Sequence, residues 1–183
     1  MSRILTPANQ LTMLRMLLVP MFVICMLYNQ PGWALVTFAA AGVTDLFDGL
    51  VARLSGQSTD LGAWLDPMAD KLLLLSMFVM LTIPSPGLTN RLPIWLTVLV
   101  ISRDVGIVMT VAVVNLAVGP RTFRPSIFGK AATATYVLTG VVTLYFNYLR
   151  VRSPLVTGFE YATLVITLIS GFDYVRRSTR SLP

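Results

Sequence analysis

The sequence predicts an all-α integral membrane protein with six transmembrane helices and a short N-terminal interfacial segment. Composition is the first ground. Of 183 residues, 55% are hydrophobic and only 12% charged, and the mean hydropathy is +0.75. A soluble domain has roughly a quarter of its residues charged. Patterning is the second ground: apolar runs of the length needed to cross a bilayer, about 20 residues, recur six times between clusters of turn formers. The third is charge placement, because Lys and Arg gather at the ends of those runs. Residues 1–183 read as a single membrane domain, with an interfacial segment at 1–10, a six-helix bundle at 11–175 and a basic tail at 176–183, and no spare length for a soluble domain.

Met1–Gln10 is polar enough to lie along the interface, and Pro7 separates it from the first apolar run. Asn9 is an N-cap for the first span, Leu11–Tyr28. Arg15 within it has two readings, a snorkelling cytosolic anchor or a member of a site. Arg15 and Pro20 also argue against a cleavable signal. Asn29-Gln30-Pro31-Gly32 is a turn, and Trp33–Ser55 the second span. Ser55–Thr59 is rich in loop formers, with Asp60 near the next N-cap. In the third span, Thr59–Ile83, Pro67 should kink or break the helix. Lys71 projects about 100° away from Asp70 and is placed to pair with Asp104 on the next helix. After the 84–91 loop, the fourth span, Leu92–Val118, contains Ile101-Ser102-Arg103-Asp104-Val105. An Arg near mid-membrane must face the bundle interior or water. Gly119–Gly129 is a polar island holding Arg121 and Arg124; the fifth span is Ser126–Tyr148 and the sixth Leu155–Val175. The tail Arg176–Arg180 is an anchor for an anionic leaflet.

Six spans place both termini on one side. Arg3, Arg15, Arg53, Arg121, Arg124, Lys130, Arg176, Arg177 and Arg180 fall there, and Arg91, Arg150 and Arg152 opposite. The positive-inside rule makes the first side cytosolic. The net charge of +6 therefore points to membrane lipids as partners rather than to nucleic acid. The single Cys25 excludes a disulfide within the chain.

The stretch with chemistry in it is Asp45–Asp70, DLFDGLVARLSGQSTDLGAWLDPMAD, which holds five of the eight acidic residues. A charge at the bilayer centre costs at least about 2.5–3.5 kcal/mol, so carboxylates there are functional and partnered as a rule. On a helix, steps of three and four residues return to one face, which aligns Asp45, Asp48, Gly49, Ala52 and Arg53 on one helix and Gly62, Asp66 and Asp70 on the next. An antiparallel hairpin would converge four carboxylates, Asp45, Asp48, Asp66 and Asp70, on one volume, and that requires cations. Arg53 and Lys71 alone cannot neutralise them. The donors are hard oxygens, and the chain has no His and one Cys, so Mg²⁺ or Mn²⁺ is expected rather than zinc. Two such ions suit phosphoryl chemistry. Arg53 offers a planar fork to a phosphate, and Gly49, Ala52 and Gly62 leave room for a nucleotide.

The order Asp-x2-Asp-Gly-x2-Ala-Arg-x8-Gly-x3-Asp-x3-Asp is met at eight positions over 26 residues, by Asp45, Asp48, Gly49, Ala52, Arg53, Gly62, Asp66 and Asp70. It resembles the signature of the CDP-alcohol phosphotransferases, integral membrane enzymes of phospholipid synthesis. The resemblance implies displacement of CMP from a CDP-linked lipid by an alcohol on a bimetal site at the cytosolic surface. It implies Asp45, Asp48, Asp66 and Asp70 as metal ligands, Asp70 also as the base, and Asp48, Gly49, Ala52, Arg53 and Gly62 around the CDP. It further implies a homodimer.

Asn9–Arg15 resembles the start of the phosphatidylglycerophosphate-synthase branch, which favours glycerol 3-phosphate as acceptor. The Ile-Ser-Arg-Asp run and Arg124-Pro125-Ser126-x-x-Gly129-Lys130 resemble the glycerol-acceptor branches, including eukaryotic-type cardiolipin synthases, and keep phosphatidylglycerol open. Arg103, Arg124 and Lys130 are the acceptor-binding candidates, against an ion pair for the first and a lipid-binding loop for the others. CDP-diacylglycerol is the expected donor. A divalent-cation or proton transporter is the rival of another class. It would need a polar path through the third helix, where Leu72–Leu75 and Met77–Met80 leave only Ser76 polar.

Overall fold

The computed structural model describes the backbone of residues 7–55, 60–118 and 126–180, and the side chains of 10–45, 68–110, 116 and 126–177. Among the described residues it is all-helical: α1 (Pro7–Leu27), α2 (Pro31–Ser55), α3 (Asp60–Thr82), α4 (Ile94–Val118), α5 (Ile127–Tyr148) and α6 (Pro154–Arg180). By length and composition, Gln10–Leu27, Ile127–Tyr148 and Pro154–Arg177 are each able to cross a membrane. The surface agrees: Leu17, Ile24, Ile94, Val98, Leu116 and Leu168 are all more than half exposed, while Arg15, Thr139, Thr163 and Asn147 are buried. Apolar side chains outside and polar ones inside suit hydrocarbon as the solvent.

Prolines start elements here rather than stopping them. Pro7, Pro31 and Pro154 each open a helix, where the missing N–H is no loss and φ is already helical. α1 thus begins before Leu11 and takes in Pro7–Gln10. α3 also continues through Pro67 as a single helix, so the expected break does not occur. α6 carries on through the segment read as a tail, to Arg180. At 27 residues it exceeds the ~20 needed to span, and Arg177 pairs with Asp173 at 2.9 Å on its last turns.

Two turns end in the same way. Asn29 and Arg150 both have φ 55°. The amide of Gln30 donates to Cys25 O at 2.9 Å and that of Val151 to Phe146 O at 3.1 Å. These bonds close α1 and α5 with a left-handed residue that is glycine in most helices. Asn29 tolerates the conformation because its Oδ1 accepts from Ser85 Oγ at 2.6 Å and Gly87 N at 3.0 Å.

The chain forms two compact units, residues 1–91 with 143–152, and residues 92–142 with 153–183. In the first, α1 packs on α2 and α3. Its buried face is Thr12, Arg15, Phe22 and Met26, a helical spacing, met by Ala34, Thr37, Phe38 and Ala41 of α2 and by Ala69, Leu73, Met77 and Leu81 of α3. The rings of Phe22 and Phe38 are 5.9 Å apart. The end of α5 also belongs to this unit. Buried Asn147 accepts from Asn90 N at 2.7 Å and donates to Asn90 O at 2.9 Å, while Asn90 Nδ2 donates to Val151 O at 2.8 Å. In the second unit, α4 packs on α6, and α5 meets α6 through hydroxyls: Tyr136 with Thr167 and Thr139 with Thr163, each at 2.7 Å.

Candidate active site

The first half of the site hangs on α1. Arg15 lies where that helix packs on α2 and α3, fully buried. Its Nη2 is 3.0 Å from Asp45 Oδ1 on α2, and its Nη1 donates to Asp70 Oδ1 on α3. One planar fork therefore holds an oxygen from each of two helices, and the carboxylates at the two ends of the motif are neighbours. The snorkelling alternative for Arg15 is overturned, because a side chain that reaches for the interface is not fully enclosed. Enclosure also has an energetic condition. A buried guanidinium without a partner costs several kcal/mol, so its two carboxylates are what makes its position tenable.

Arg15 and its partners are not equally shielded. The side chains of Asp45 and Asp70 are 49% and 43% exposed. The site thus has a closed wall, the guanidinium, and a side on which both carboxylates are partly exposed. Asp48, Gly49, Ala52 and Arg53 stand further along α2, and Gly62 and Asp66 earlier in α3. Their side chains lie outside the described residues, as does Arg124 altogether.

The second unit contains the other described candidates. Arg103 of α4 is mostly buried, bonded by Nη1 to Asp104 Oδ1 at 2.7 Å and by Nη2 to Ser170 Oγ of α6. Asp104, expected to take Lys71, thus has its own neighbour as an ionic partner. Arg103 also reaches the start of α5: a Cβ built on Gly129 would lie 3.4 Å from its Nη2 and 3.4 Å from Ser126 Oγ. Ser126 caps that helix by accepting from Gly129 N at 2.9 Å, satisfying a first-turn amide. Lys130 follows on the same turn, exposed. The Arg-Asp run and the Ser-x-x-Gly-Lys stretch, apart by more than twenty residues in sequence, are adjacent in this unit.

The signature spacing has a counterpart in the comparisons with known proteins. The family model for CDP-alcohol phosphatidyltransferases matches residues 5–171. The chain belongs to that family. It is similar to a protein of Mycobacterium tuberculosis named as a probable phosphatidylglycerophosphate synthase, 35% identical over 192 residues, covering 99% of this chain and 85% of the relative. It is similar as well to a cardiolipin synthase (CMP-forming) of Streptomyces coelicolor, 38% identical over 140 residues, covering 72% of this chain and 61% of the relative. The human cardiolipin synthase (CMP-forming) is 30% identical over 195 residues, covering 96% of this chain and 63% of the relative.

As a CDP-alcohol phosphatidyltransferase the protein is a membrane enzyme of phospholipid synthesis, which decides between the enzyme and the transporter. The residue that the motif did not contain is Arg15. Its signal was present in the sequence, a lone charge inside the first apolar run, and intramembrane charges default to function.

Proposed function

We propose that the protein transfers the phosphatidyl group of CDP-diacylglycerol to the hydroxyl of glycerol 3-phosphate, giving phosphatidylglycerophosphate and CMP. The observation that carries the proposal is the pairing of Asp45 and Asp70 from different helices on one buried Arg, inside a motif of the right order. The relative named as a probable phosphatidylglycerophosphate synthase, matched over 99% of this chain, supports the acceptor. Cardiolipin synthesis from phosphatidylglycerol is the second reading, favoured by the cardiolipin synthase relatives.

In this reading Asp45, Asp48, Asp66 and Asp70 hold two Mg²⁺ or Mn²⁺ ions. The donor chemistry fits: carboxylate oxygens only, two of them neighbours, both partly exposed. When bound, the ions neutralise the pyrophosphate and the charge that develops on CMP. Asp70 accepts the proton of the acceptor hydroxyl, whose oxygen forms the new bond to the lipid-side phosphorus. The bond from that phosphorus to the bridging oxygen breaks, and its electron pair leaves with CMP. Asp48, Gly49, Ala52, Arg53 and Gly62 line the CDP, with Arg53 as the fork on phosphate. Arg103, Arg124 and Lys130 bind the acceptor; the meeting of Arg103 with the Ser126–Lys130 turn supports this. The chain acts as a single domain in a homodimer, its six helices crossing the membrane and its site facing the cytosol. The charge asymmetry between loops supports that orientation.

The test is CMP release from CDP-diacylglycerol by purified protein with Mg²⁺ or Mn²⁺, against glycerol 3-phosphate, phosphatidylglycerol, inositol phosphate and serine. Release that depends on glycerol 3-phosphate supports the proposal. Release with phosphatidylglycerol alone moves it to cardiolipin, and none with any acceptor sinks the donor assignment.

A further inference from the structure

We propose that Arg15 is a resident counter-cation. It occupies Asp45 and Asp70 while no divalent ion is bound, gives up both when one binds, and then takes a phosphate of the CDP-linked substrate. The proposal rests on the reading of these aspartates as metal ligands, and its test separates the two.

Three features lead there. First, the guanidinium holds one oxygen of each carboxylate, Asp45 and Asp70, on the wall of the site that is closed. A divalent ion of the Mg²⁺ class demands oxygens at about 2.0–2.1 Å in near-octahedral array. The fork holds Oδ1 of each carboxylate, so an ion that draws in either of those oxygens takes it from Arg15. Second, two dications alone neutralise the four carboxylates, so once they are bound Arg15 is a surplus positive charge beside them, and repulsion favours withdrawal. Third, withdrawal needs no helix movement. Arg15 is held by α1 packing on two helices, and the length of its side chain lets the head swing about a fixed Cα. In this reading the anion that such a fork matches is the pyrophosphate of the substrate.

Arg15 would therefore be a positioning residue that links two binding events. Without metal it ties α2 to α3 and occupies Oδ1 of Asp45 and of Asp70. With metal it is released and completes the phosphate site. Metal binds first and nucleotide second, and nucleotide binding without metal is weak because the fork is engaged elsewhere.

The first experiment uses the wild-type protein in detergent. Arginines are labelled with phenylglyoxal, and the peptide containing Arg15 is followed by mass spectrometry without metal, with Mn²⁺, and with Mn²⁺ plus CDP. The expected pattern is slow labelling, then severalfold faster labelling, then protection again. The second measures Mn²⁺ binding by electron paramagnetic resonance in wild type, Arg15→Gln and Asp70→Asn. Loss of the competing cation should tighten Mn²⁺ binding to Arg15→Gln, by about tenfold if the ion pair is a modest one, while CDP binding at saturating Mn²⁺ weakens by a similar factor. If Mn²⁺ binds and Arg15 stays protected, or if Arg15→Gln binds Mn²⁺ no more tightly, the inference is wrong and the metal site stands. If the wild type binds no Mn²⁺, or Asp70→Asn binds it as well as wild type, the metal reading itself falls, and this inference with it. Should Arg15→Gln fail to fold, the wild-type labelling decides.

Discussion

Asn147→Ala is the substitution whose cost can be worked most directly from the structure. Asn147 is fully buried, and its amide meets both backbone groups of Asn90, at 2.7 and 2.9 Å. Truncation takes away both contacts at once, in a place where Asn90 is itself buried. Each buried polar group that loses a partner costs about 1–3 kcal/mol. The sum is roughly 2–6 kcal/mol. For a chain of this size each kcal/mol is worth roughly 2–4 °C, so the melting temperature in detergent should fall by about 4–24 °C. Thermal unfolding followed by circular dichroism measures it, with exposed Thr133→Ala as the control expected within about 0.5 kcal/mol of wild type. Turnover well below the transition should be unchanged, because Asn147 bonds to the backbone of Asn90 and, among the described residues, to no site residue. A shift no larger than the control's would refute the clasp as a stabilising element.

Asp70→Asn should abolish acceptor-dependent CMP release, by at least the 10²–10⁴-fold typical of a lost general base, about 3–5 kcal/mol in barrier height; retention of a tenth of wild-type activity would remove Asp70 from that role. Arg103→Lys replaces a fork holding Asp104 and Ser170 with a point charge unable to serve both. The KM for the acceptor should rise by about tenfold with kcat little changed, and a pure kcat effect would contradict an acceptor-binding role. Asn29 and Arg150 share φ 55°, yet glycine should act oppositely at the two. Arg150→Gly relieves a left-handed residue and should stabilise by up to about 1 kcal/mol, whereas Asn29→Gly loses bonds to Ser85 and Gly87 and should destabilise by about 1 kcal/mol. Melting temperatures of the pair moving the same way would contradict this account.

Much of this was legible because the bilayer is a demanding solvent. Apolar runs and turn formers located all six helices to within a few residues, and the acidic motif named the family without help from coordinates. What escaped was local. Pro7 and Pro67 looked like interruptions because proline removes a donor, but the first sits where no donor is needed, and α3 continues through the second. The apolar-to-basic switch at Arg176 looked like the end of α6, although backbone bonding continues to Arg180, where charged side chains are compatible with helix outside the bilayer. Arg15 was the instructive case. A one-dimensional pattern shows a lone cation near a helix end, for which snorkelling and site membership are both reasonable. Only packing α1 against α2 and α3 reveals that Asp45 and Asp70 lie within its reach. For Asp104 the ionic partner that the structure gives is the adjacent Arg103, which a search for partners on other helices passes over.

The hydroxyl contacts between α5 and α6 have a further effect, on alignment. Two greasy helices in hydrocarbon can slide past each other at little cost, because one leucine face resembles the next. Tyr136 with Thr167 and Thr139 with Thr163 match in one alignment only. A slip of a single turn, about 5.4 Å, would keep at most one of the two pairs, because Thr163 and Thr167 are themselves a turn apart. The row continues to Ser170, which holds Arg103. The same lock that sets how the last two helices lie together therefore also fixes where a cation on α4 finds its anchor, so a methyl group in place of a hydroxyl at Thr163 would be felt two turns away, in the aim of a guanidinium.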